Sequence, residues 1–126
     1  MKLQAEIHLK QAHKYLVAAN SAKQLGANNP AVSAAVHAVI LAKDAYCIEK
    51  TGSSKKSTNH RMAITELEKA GGIPKPHVDQ FRSLLASKNS VEYQPDEISD
   101  ADSSKLISQA TRFCRFVEIA VGFSAN

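Results

Sequence analysis

NPAVSAAVHAVILAKDAYCIEKTGSSKKSTNHR, residues 29–61, is the stretch on which the fold is decided. It opens on Asn29-Pro30, a helix-capping residue followed by a proline at the first helical position, where the missing N–H costs no intrahelical bond. It reaches Thr51-Gly52, where glycine can adopt the left-handed conformation that closes a helix. Between these signals Val32, Val36, Val39 and Tyr46 form one stripe. Ser33, His37, Ile40, Asp44 and Cys47 form another, and alanines fill most of the remaining surface. A helix apolar nearly all round is covered by its neighbours. His37 and Asp44 therefore stand out as polar residues on a core element. The basic loop behind the helix holds Lys55 and Lys56, and His60-Arg61 follows it.

Working outward, Lys2 to Leu25 reads as a helix with a narrow core seam of Ala5, Leu9, Ala12, Leu16 and Ala19. His8 and His13 lie five residues apart, too far around a helix to grip one metal, and read as surface residues. After the basic loop, Ser57 or Thr58 is expected to cap a helix from Asn59 to Ala70, with Met62, Ala63, Leu67 and Ala70 buried. Gly71-Gly72 ends it. Pro74-Lys75-Pro76 starts a fourth helix, whose Val78, Phe81, Leu84 and Leu85 face inward. Pro95 disfavours helix at Gln94 and sets its end. Ser99 to Asp102 resembles a capping box and opens a last helix to Val121, with Leu106, Ala110, Phe113, Val117 and Ala120 on its core face. No stretch alternates in the manner of a strand. The expectation is a single all-α domain over residues 1–126, a bundle of four to five helices.

The chain has 126 residues, a net charge of +4 and a pI near 9.1, a mild bias toward acidic partners. No run of 18 uninterrupted apolar residues suggests a membrane span, and the N-terminus lacks the apolar block of a signal peptide. A cytoplasmic location is expected, with Cys47 and Cys114 as reduced core residues. The scattered histidines and single cysteines provide no metal-ligand spacing, and Gly71-Gly72 is no phosphate loop. No metal or other cofactor is expected.

Ser33-x-x-x-His37-Ala38, Ala42-x-Asp44-Ala45, Gly52, a basic loop and then His60 resemble the first half of HEPN domains. Lys88-x-x-Val91-Glu92-Tyr93 is similar to that family's Arg-x-x-Ala-Asp-Tyr segment, and Ser99-Asp100-Ala101 with Ala110-x-x-Phe113 resembles its last helix. The resemblance covers residues 31–118. It implies a helical bundle that often pairs as a homodimer, in prokaryotic toxin–antitoxin, RNA-processing and defence systems. Active members are metal-independent ribonucleases that use an arginine and, a turn or more later, a histidine.

The equivalent positions here are Lys88 and Tyr93. Lysine holds phosphate as a point charge rather than a bidentate fork. Tyrosine, with an ordinary pKa near 10, is a poor base at neutral pH. The expected role is thus non-catalytic RNA or nucleotide binding, through Lys55, Lys56, Arg61, Lys88 and Asp44. Two alternatives stay open. One is an altered ribonuclease whose catalytic candidates are Lys88, Tyr93, His37 and His60. The other is an interaction module for an antitoxin-like partner protein. His37, Asp44 and His60 form a polar pocket if the loop folds back; otherwise Asp44 simply fastens that loop to the helix.

Overall fold

The computed structural model describes residues 2–54 and 59–124. Among them are five helices: α1 (Lys2–Gln24), α2 (Asn28–Thr51), α3 (His60–Ala70), α4 (Lys75–Tyr93) and α5 (Asp100–Val121). The four long helices form a bundle around α2, and the short α3 lies against α2 and α4. The all-α expectation is met. Its element boundaries hold to within a residue or two.

α2 is the axis because alanine and valine let its neighbours approach it closely. Val32, Ala35, Val36, Val39, Ala42 and Tyr46 are fully buried. By length and composition it is long enough to cross a membrane, with a mean hydropathy of 1.4 over 18 residues, but 67% of that window is buried within the bundle. α1 covers it with the predicted seam of Ala5, Leu9, Ala12 and Ala19. α5 contributes Ile107, Ala110, Phe113, Cys114 and Val117, whereas Leu106 and Ala120 are only half-buried. Phe113 stacks on Phe81 of α4 at 5.3 Å between ring centres. Gly52 closes α2 as expected, at φ 90°, its N–H bonding to the Ile48 carbonyl.

Three local expectations need correction. Asn29 is not the cap of α2: the helix begins one residue earlier, and the cap position is Ala27. Pro30 still lies in the first turn, where its missing N–H costs nothing. The cap of α3 is Asn59, whose Oδ1 accepts from the Met62 N–H at 2.9 Å; Ser57 and Thr58 lie outside the described residues. Met62 is 49% exposed rather than buried. In that first turn the inward positions go to Ala63 and Ile64 instead.

Asn28 and Asn29 do different work. Asn28 Nδ2 donates to the Ile98 carbonyl at 2.9 Å and to Asp100 Oδ1 at 2.8 Å. Asn29 Nδ2 donates to the Asp96 carbonyl, and its Oδ1 accepts the Ile98 N–H at 2.8 Å. Two adjacent amides thereby pin the α4–α5 connection onto the start of α2. A second fastening lies at the other end. The hydroxyl of Tyr46, a buried residue whose ring meets Phe116 of α5, donates to the Gly71 carbonyl at 2.5 Å. Lys50 lies over the same ring.

Candidate functional site: the solvent strip of α2

One narrow strip of α2 reaches solvent, running through Ser33, His37 and Asp44 between α1 on one side and α3 and α4 on the other. Ser33 Oγ donates to Glu92 Oε2 of α4 at 3.2 Å. α2 and α4 run antiparallel, so this contact sets their register. One turn further along α2 is His37; one turn back along α4 is Lys88. The two stand at the same level of the strip. Lys88 is half-buried, and Tyr93 at the end of α4 is 72% exposed.

From the other side α1 presents Tyr15. Its ring stacks on the exposed imidazole of His37 at 5.2 Å between centres and 28° between planes. An aromatic pair at the surface, level with a lysine, is a combination suited to bases and phosphate. Tyr15 carries no signal in the sequence beyond its place on a helix, because the stack depends on how α1 and α2 are paired.

Asp44 is held differently. Its Oδ1 accepts from Ser54 Oγ at 2.6 Å and from Lys43 Nζ at 3.1 Å. Lys43 also donates to Glu66 of α3, and Ser54 lies 3.5 Å from the same carboxylate. The lysine side chain is only 2% exposed. Burial opposes its charge, but the Glu66 and Asp44 carboxylates outweigh that and hold its pKa above the ordinary lysine value. Lys43 is therefore a fixed cation. The nearby Cys47 thiol is inert by contrast, pushed up to about 12 by burial, as is the Cys114 thiol on α5.

The three residues expected to share a polar pocket have different immediate partners and settings. His37 stacks on α1, Asp44 fastens Ser54 at the beginning of the basic loop, and His60 is the first residue of α3. Arg61 follows it, exposed. Lys55 and Lys56 lie outside the described residues. Lys43 and Glu66 escaped sequence reasoning. The available signal was Lys43-Asp44, a charged pair inside an apolar helix, yet its partner lies 23 residues away on another element. Among the described residues no three His, Cys, Asp or Glu side chains gather as metal ligands do.

No curated protein matches this chain. The family model described as HEPN domain matches residues 5–120, which takes in all five helices, the α2 strip and the Lys88–Tyr93 segment. With nearly the whole chain matched, it belongs to the HEPN domain family.

Proposed function

We propose that the chain binds RNA or a nucleotide, without cleaving it, on the strip shared by α1, α2 and α4, in a toxin–antitoxin or stress-response setting. The observation that carries this reading is the Ser33–Glu92 contact, which places Lys88 level with His37 and its stacked Tyr15. The lysine would neutralise a phosphate while the rings offer π-faces to a base. Arg61, and Lys55 and Lys56 that precede it in sequence, would add positive charge for further phosphates. Homodimerisation, usual in the family, would set two such strips side by side.

A second reading has a specific observation behind it. His37 is exposed at the level of Lys88, so a histidine base and a phosphate-holding cation are available although Tyr93 replaces the family's histidine. One experiment separates the two. Labelled single-stranded RNA and a labelled nucleotide are incubated with the protein in EDTA over a range of salt. The binding reading expects retention without breakdown, and a salt slope smaller by about one in Lys88→Ala. Breakdown in EDTA that disappears in Lys88→Ala and His37→Ala would establish the ribonuclease instead. Neither retention nor breakdown would leave the protein-partner reading.

A further inference from the structure

α1 carries a second seam that the bundle does not use. Ala5, Leu9, Ala12, Leu16 and Ala19 face the core. Leu3, Ile7, Lys10, Lys14, Val17 and Ser21 repeat the same four-three spacing on the far side, and all six are exposed. At 3.6 residues per turn they occupy an arc of about 80° and a length of about 27 Å. Leu3, Ile7 and Val17 are 68%, 51% and 53% exposed. α5 lies antiparallel beside α1, with Lys23 against Asp100 at one end and Lys2 beside Gly122 at the other. Ile119, 68% exposed, therefore stands level with Leu3 and Ile7. A solvent-facing heptad stripe with apolar ends and a cationic centre is unpartnered in this fold.

We propose that this seam receives an amphipathic helix of a partner protein, whose contact stripe is acidic at its centre and apolar toward its ends. Charge selects the occupant. α1 bears four lysines against a single carboxylate, the half-buried Glu6. A second copy of the chain is a poor fit: antiparallel pairing of the stripe sets Lys10 against Lys14, and parallel pairing sets each lysine against itself. RNA would match the lysines but leave three exposed aliphatic side chains unburied at the contact. A partner helix with two adjacent carboxylates between apolar flanks satisfies both halves of the stripe, at the shallow crossing angle that four-three spacing favours. The seam's centre lies about 120° around α1 from Tyr15, and its assignment does not rest on the RNA-binding reading.

The test uses the full chain and a labelled synthetic helical peptide of three heptads, with seam positions Leu, Ile, Glu, Glu, Leu. A second peptide has Lys in place of both Glu. Binding is followed by fluorescence anisotropy, beside the Lys10→Glu/Lys14→Glu double variant, whose changes are confined to exposed positions; circular dichroism confirms its fold. The proposal expects the Glu peptide to bind the natural chain at least about tenfold more tightly than the double variant, and the Lys peptide to show the reverse preference. Equal binding of both peptides, or none, overturns it. So does a double variant that loses affinity for RNA or for anionic vesicles while treating the peptides alike, since the seam would then be a polyanion or membrane contact. A shift of the natural chain's own oligomeric state in that variant, without peptide discrimination, would assign the seam to a second copy.

Discussion

Lys43 of α2 donates to Glu66 of α3, so the central helix reaches its shortest neighbour through a buried ion pair. Asp44, the next residue, gives the same cation a second carboxylate and takes Ser54 as well. α3 has few apolar contacts of its own, with Ala63, Ile64 and Leu67 as its buried residues. The ion pair is expected to set its position. Lys43→Met leaves two carboxylates facing each other without their cation, and a loss of about 3 kcal/mol in urea unfolding is expected. The Lys43 pKa is raised, so its contribution is complete at neutral pH and lost only in strong alkali, above the ordinary lysine value. Unfolding of the natural chain and of Lys43→Met at pH 7 and pH 9 should differ by nearly the same amount. A gap that closes by pH 9 would contradict the fixed-cation assignment.

Asp100 gives the opposite pH dependence. Hydrogen bonds from Asn28 and then from Lys23 hold its carboxyl below the usual value. Its contribution is present above pH 4 and disappears as pH falls through the lowered pKa. Asp100→Asn keeps an acceptor for Asn28 but removes that titration. Acid unfolding curves of the two proteins should separate above pH 4 and converge as the pH falls through the lowered Asp100 value.

Gly72 stands at φ 74°, and a Cβ there would lie 3.1 Å from the Tyr46 hydroxyl. Gly72→Ala carries both the left-handed backbone penalty and this approach to a buried, hydrogen-bonded oxygen. An expected cost of about 1–2 kcal/mol is measurable by thermal unfolding. Tyr46→Phe should cost about 1 kcal/mol through the lost bond to Gly71. In the double variant the close approach is gone, so the two effects should sum to less than their separate values.

Tyr15→Ala removes one ring of the surface stack, and Tyr15→Leu keeps the bulk without the π-face. If the strip binds unpaired bases, both should weaken single-stranded RNA by about 1 kcal/mol or more, while the salt slope stays unchanged. Lys88→Ala should reduce that slope. Identical behaviour of the ring and lysine variants would argue that neither acts in the role assigned to it.

Cys47 and Cys114 are buried and unpaired, with thiols near pKa 12. Ellman's reagent at pH 8 should label neither until the chain unfolds, and then label both. Early reaction at one thiol would locate a local opening of the bundle.

Most of the architecture was legible because it rests on local signals. Pro95, Gly52 and Ser99 mark helix ends by their own backbone chemistry, and the α1 and α2 stripes follow from spacing alone. Asn29 misled for a physical reason: an asparagine before a proline looks like a cap, but here its amide is spent on Asp96 and Ile98. The candidate site was less legible. His37 and Lys88 were named, yet their shared level depends on a Ser33–Glu92 register 59 residues apart in sequence. Tyr15 and Glu66 became visible only once helices were paired, since neither has a local motif.

The two amides at the start of α2 also bear on how the chain assembles. Asn28 and Asn29 bond to groups 67 to 72 residues downstream. α1 and α2 can meet as a local hairpin soon after synthesis, at small loop-closure cost. The polar end of that hairpin stays wet until the chain has been made past Asp100. During translation α1 and α2 would wait with the most apolar helix partly uncovered, and the closing step would belong to α5.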